Sequence, residues 1–124
     1  MNSKTKRYLM SVKIYHNPRC SKSRQTLALI EEKGITPEIV EYLKNEPSVS
    51  DIKNLLAGLG MEPRDLMRKG EAVYKELNLK NQDLSQDELI NAMAENPILI
   101  ERPIVITDKG MRIGRPPELV NEIL

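Results

Sequence analysis

Residues 12–43 read VKIYHNPRCSKSRQTLALIEEKGITPEIVEYL, and the order of elements inside this stretch decides the fold. Val12 to Tyr15 is a short β-prone run, with a start near Tyr8 as the alternative. Asn17-Pro18 breaks it, because proline brings no backbone N–H and asparagine favours turns. A helix is expected next, from about Ser21 to Lys33, with Leu27, Ala28 and Ile30 inward and Gly34 as its stop. Over Glu38 to Tyr42, the positions of Ile39, Val40 and Tyr42 then suit a second strand. Strand, helix and strand within about 30 residues make a βαβ unit, and its two strands must run parallel.

The middle of the chain is helical. Ile52, Leu55, Leu56 and Leu59 form one apolar stripe closed by Gly60. Pro63 suits the first turn of a short helix running through Arg68, and Val73, Tyr74 and Leu77 suggest another turn or two. Ser85 and Glu88 make a capping box, Leu84 and Leu89 its hydrophobic staple, and the helix they open should end at Asn96-Pro97. Strands return with PIVIT and MRIG, which flank Asp108-Lys109-Gly110 as a hairpin. Pro116-Pro117 opens a last helix, with Leu119, Val120, Ile123 and Leu124 on its apolar side. The expected fold is therefore α/β and thioredoxin-like, with a helical insertion between the βαβ and ββα halves. Residues 1–10 are read as a flexible tail and 11–124 as a single domain.

Composition bounds the function. A chain of 124 residues can bury about two-thirds of its unfolded surface in one core. With four Tyr, no Phe and no Trp, that core must be aliphatic. A net charge of +1 gives no global case for nucleic acid or membrane as a partner. One cysteine excludes an internal disulfide framework and leaves no thiol pair for a zinc site. The N-terminal MNSKTKRYLMSVK lacks the apolar run of a signal peptide, and no stretch approaches the roughly 20 apolar residues of a membrane span. The expectation is a reduced, cytoplasmic protein with no metal and no bound cofactor.

Cys20 is the chemical signal. A lone cysteine is usually a small buried hydrophobe. This one follows a turn and precedes a helix, with Arg19, Lys22 and Arg24 beside it and the chain's only histidine, His16, four residues before. In α/β sheets, ligands gather where strand ends meet helix N-termini. The thiolate is the reactive form, and free N–H groups of a first helical turn favour it, as do nearby cations. The same array would hold an oxyanion. A redox pair would need cysteine at position 23, which is Ser23, and a phosphatase-type Cys-x5-Arg loop would need arginine at Thr26. A nucleophilic thiol resolved by an external thiol remains.

Four segments, IYHNPRCSKSRQTL, LMRKG, NPILIERPIVIT and RIGRPPE, occur in the order and at the spacings of one family. From about Val12 to the C-terminus the chain resembles the glutaredoxin-coupled arsenate reductases, and within them a short branch. Its loop reads Cys-Ser-Lys-Ser where other members carry Cys-Gly-Thr-Ser. The resemblance implies a thioredoxin-like fold with Cys20 as nucleophile, and with Arg68, Arg102 and Arg115 binding the oxyanion. His16 and Ser23 then support the loop, and Pro103 corresponds to a cis proline facing the site. It also implies arsenate as substrate, a covalent adduct on Cys20, and glutathione and glutaredoxin as external reductants. Two alternatives stay open: a Spx-like regulator that binds RNA polymerase without catalysis, and a reductase of glutathione mixed disulfides.

Overall fold

A computed structural model describes residues 11–124, so the expected tail and any strand start near Tyr8 lie outside the described residues. The chain forms two compact units. One comprises the described residues through Glu41 together with Arg102–Leu124, and the other is Tyr42–Glu101.

The first unit is built on a four-stranded sheet of β1 (Lys13–Tyr15), β2 (Glu38–Val40), β3 (Ile104–Thr107) and β4 (Gly110–Ile113), in the spatial order β2-β1-β3-β4. β1 pairs with β2 in parallel, Lys13 opposite Glu38 and Tyr15 opposite Val40. It pairs with β3 antiparallel, Ile14 opposite Val105, and β3 turns through Asp108-Lys109 into β4. A central strand has both faces covered, which is why Ile14 and Tyr15, neighbours on opposite faces, are both buried. At the edge, Ile39 of β2 keeps 45% of its surface exposed. Val12, Ile14, Ile30, Val105, Val120 and Ile123 form the apolar core of this unit. Each fully buried Ile or Val there contributes about 1.5–3 kcal/mol relative to exposure.

Helix α1 (Ser21–Glu32) connects β1 to β2 and ends where Gly34 adopts φ +79°. Its buried residues are Ser23, Thr26 and Ile30, whereas Ala28, expected inward, is exposed and Leu27 is half-buried. Only the second half of the helix reaches the apolar core; the first half meets polar loop groups, so its inner positions carry hydroxyls. The closing segment also departs from expectation. It is a 3₁₀ helix, Pro117–Glu122, in which residues three apart share a side. Pro117, Val120 and Ile123 are accordingly buried, while Leu119 is 38% exposed.

The second unit holds α2 (Val49–Leu59), α3 (Pro63–Leu66), α4 (Ala72–Glu76), α5 (Gln86–Glu95) and a 3₁₀ turn over Pro97–Leu99. The stripe of α2 buries Ile52, Leu55 and Leu56, and Gly60 closes the helix in the left-handed conformation with φ +66°. The capping box opens α5: Ser85 Oγ accepts from the Glu88 N–H, and Glu88 accepts from the Ser85 N–H. Helix α3 stops at Leu66 instead of continuing to Arg68. Met67 turns extended and forms a β-bridge with Ile100, flanked by bonds from Arg68 N–H to Leu99 O and from Glu101 N–H to Leu66 O.

Candidate functional site

The loop after β1 is built by Asn17. The parallel ladder ends with the His16 N–H donating to Val40 O. Asn17 then makes the turn: its Oδ1 accepts from the Arg19 N–H at 3.0 Å and its carbonyl from the Cys20 N–H at 3.0 Å. Pro18 fits the second position of that turn because its φ is preset. Cys20 is thereby left in extended conformation as the N-cap of α1, its carbonyl accepting the first helical bond from Arg24.

Ser23 ties the loop to the helix. It is fully buried, and its Oγ accepts from the Asn17 N–H at 3.0 Å and lies 2.7 Å from His16 Nδ1. Burial pushes the His16 pKa below its ordinary value, with help from Arg24 and against Glu41 and Glu31. Burial thereby favours the neutral ring over the charged one. The buried Ser23 hydroxyl and Nδ1 share one hydrogen bond, so His16 stands in the hydrogen-bond frame of the loop.

Cys20 is half-buried. Burial alone would raise its pKa, but the Ser23 N–H, the Arg102 guanidinium and the Lys22 N–H outweigh that cost. The thiol lies below its ordinary value as a result, and the causes are those of an anion seated at a helix start beside a cation. Arg115 adds a direct contact, its Nη2 lying 3.3 Å from the Cys20 sulfur, while its Nε donates to the Arg102 carbonyl at 2.8 Å. Arg102 is 8% exposed and precedes Pro103 across a cis bond, as the resemblance implied; the Arg115–Pro116 bond is cis too. Of the other cations, Arg24 turns back to Pro18 O at 2.9 Å and Arg19 is exposed.

The first unit thus brings together Cys20, Arg102, Arg115, His16 and Ser23. Arg68 belongs to the second unit, where it donates through Nε to Glu71 at 3.1 Å and through Nη1 to Glu101 at 2.6 Å. Sequence reasoning read Asn17-Pro18 as the turn but missed the hydrogen bonds by which Asn17 holds the loop, and both carboxylate partners of Arg68. Asn17 carried a signal in Asn-Pro, whereas Glu101 meets Arg68 only through the Met67–Ile100 bridge. Among the described residues, no three His, Cys, Asp or Glu side chains gather to hold a metal, and no helix is long and apolar enough to cross a membrane.

A thiol favoured as thiolate, facing two fixed guanidiniums, can attack an electrophile that carries anionic oxygens. Known proteins share this chain's sequence and fold. It is 55% identical over 114 residues to the uncharacterised protein YfgD of Escherichia coli K12, covering 91% of this chain and 96% of that one. It is 55% identical to an arsenate reductase of Haemophilus influenzae, covering 93% of this chain and all of the relative. The solved structure of an arsenate reductase from Vibrio cholerae superposes with a TM-score of 0.90 at 58% identity, over 93% of this chain and 98% of that one. Residues 15–123 match the model of the ArsC family, and the chain belongs to that family.

Proposed function

We propose that this protein is a thiol-dependent arsenate reductase in which Cys20 is the nucleophile. The observation that carries the reading is the contact from Arg115 Nη2 to the Cys20 sulfur at the first turn of α1. The names of the Haemophilus and Vibrio relatives supply the substrate. Arg102 and Arg115 hold arsenate through paired hydrogen bonds at permanent charge. For Arg68, a role in binding the oxyanion is proposed on the family resemblance of its Leu-x-Arg-Lys segment alone.

The Cys20 thiolate attacks arsenic, an arsenate oxygen takes up protons and leaves as water, and a Cys–S–As(V) bond forms. The arginines neutralise the oxygens that would otherwise repel the sulfur. A second thiol must follow, and with one cysteine in the chain it comes from outside. As that thiol attacks, arsenic takes an electron pair and departs as arsenite, and the two sulfurs are left joined as a disulfide. Glutathione is the proposed second thiol and glutaredoxin the proposed reductant of the mixed disulfide, both on the family resemblance. No bound cofactor enters the scheme.

The test is arsenite formation by the purified protein with arsenate, glutathione and glutaredoxin, beside Cys20→Ser. Turnover abolished in the variant is the expected result. A wild-type chain without turnover in any thiol mixture would end the arsenate reading.

A further inference from the structure

The place where a side chain of Gly114 would go is already filled. A Cβ built there would lie 2.5 Å from Thr26 Oγ1, 2.9 Å from Pro103 Cγ and 3.1 Å from Thr26 Cγ2, short of the 3.4 Å at which ordinary contact begins. Gly114 is not among the glycines with positive φ, so crowding and not backbone conformation demands glycine here. Neither neighbour yields easily. Thr26 is fully buried with its hydroxyl donating to Lys22 O at 2.8 Å, and the Pro103 carbonyl accepts from the Gly114 N–H at 2.9 Å.

Three pieces of chain meet at this point. Thr26 lies on the helix that Cys20 caps, Pro103 follows Arg102, and Arg115 is the next residue after Gly114. The Arg115 side chain is tied to the Arg102 carbonyl and to the sulfur. We propose that Gly114 is a positioning residue for the Arg115–Cys20 contact: its missing side chain lets the end of β4 close onto Thr26 and Pro103, and that closure seats Arg115 against the thiol. An added methyl group must move the β4 end away from α1 or rotate Thr26 off Lys22, because close-packed interiors pass such strain on to their neighbours. Arg115, one residue away, moves with it. The inference rests on the reading of Cys20 as a reactive thiol assisted by Arg115, and it is independent of the substrate.

The experiment is the rate of Cys20 alkylation by iodoacetamide against pH, on the full chain. The set is wild type, Arg115→Ala, Gly114→Ala, the double variant of those two, and Gly114→Ala with Thr26→Ala. Gly114→Ala is expected to slow alkylation near neutral pH by about three- to tenfold and to move the midpoint upward, since only the thiolate reacts. Adding it to Arg115→Ala is expected to change nothing further, and Thr26→Ala is expected to recover most of the rate in the Gly114→Ala chain. A Gly114→Ala protein with a lower melting temperature but the wild-type alkylation profile would overturn the proposal, as would losses that add in the Arg115 double variant. Should Gly114→Ala not fold, the Thr26 double variant decides: folded with a wild-type profile it supports the proposal, and unfolded or shifted it overturns it. Alkylation involves no arsenate, so a wild-type chain inactive on arsenate would sink the functional reading alone.

Discussion

Arg115 holds the Cys20 sulfur with one nitrogen of its guanidinium and the Arg102 carbonyl with another, at 3.3 Å and 2.8 Å. The two bonds make the side chain a rigid bridge from β4 across the start of β3 to the first turn of α1. A flexible cation near the sulfur would supply charge; this planar fork supplies charge at a fixed position. The thiol is thereby prepared before any substrate arrives.

Arg115→Ala should therefore raise the Cys20 pKa. The expected effect is about a tenfold slower reaction with a thiol probe near neutral pH. Arg115→Lys keeps the charge but cannot make both bonds from one plane, so an intermediate rate is expected. Equal rates for Lys and wild type would show that charge alone suffices.

Cys20 also links stability to pH, and the sign follows from its lowered pKa. The folded state favours the thiolate more than the unfolded chain does. The resulting stabilisation is absent below the folded pKa, grows as pH rises through it, and is complete above the unfolded value of about 8.5. Thermal melts of wild type and Cys20→Ser should diverge in favour of wild type as the solution becomes alkaline. A gap that stays constant across that window would contradict the lowered pKa.

Much of this was legible in the sequence, and the limits have physical causes. The βαβ unit was marked by Asn17-Pro18 and Gly34, the α5 start by Ser85 with Glu88, and the hairpin by Asp108-Lys109-Gly110, all of which act through local backbone chemistry. Cys20 showed itself because a turn, a helix start and cations coincide within a few residues. What failed was decided by distant partners. Ala28 looked inward by spacing, but the inner face of α1 is set by what the loop and Gly114 offer, and those prefer Ser23 and Thr26. Met67 looked helical until Ile100 drew it into a bridge. The last segment kept its apolar residues but wound more tightly, which turned Leu119 outward. The arginines were found by resemblance, since nothing in the residues near Arg102 or Arg115 announces a thiol that is remote in sequence.

His16 should make the fold sensitive to mild acid. Its folded pKa lies below the ordinary 6.5, chiefly through burial. Stability from this group is full above that value and is lost as pH falls through it toward the folded pKa, because the unfolded chain takes the proton first. Melting temperature should drop between neutral pH and about pH 5, and His16→Asn, whose Oδ1 can still accept from Ser23, should flatten that part of the curve. An unchanged slope would place the acid-sensitive proton elsewhere.

Ser23→Ala would strip the buried Asn17 N–H and His16 Nδ1 of their shared partner. Leaving buried polar groups unpaired costs about 1–3 kcal/mol each, so a destabilisation of roughly 2 kcal/mol is expected by denaturant melts. Because Ser23 anchors the turn of α1 whose N–H groups face the sulfur, alkylation of Cys20 should slow as well. Loss of stability with full thiol reactivity would separate the anchor from the site.

Arg68 offers the sharpest division of labour. The groups around the Cys20 sulfur are the Ser23 and Lys22 N–H groups, Arg102 and Arg115, whereas Arg68 is engaged by Glu71 and Glu101. If Arg68 serves the oxyanion, Arg68→Ala should raise the arsenate KM by about tenfold or more, the worth of one charge-assisted contact, and leave the alkylation profile of Cys20 at its wild-type position. Arg115→Ala should disturb both. Glu101→Gln tests the carboxylate grip on Arg68: a partly exposed ion pair contributes at most about 1 kcal/mol to stability, but loosening the guanidinium should raise KM with little change in melting temperature. Unaltered arsenate kinetics in both Arg68→Ala and Glu101→Gln would confine the oxyanion site to Arg102 and Arg115.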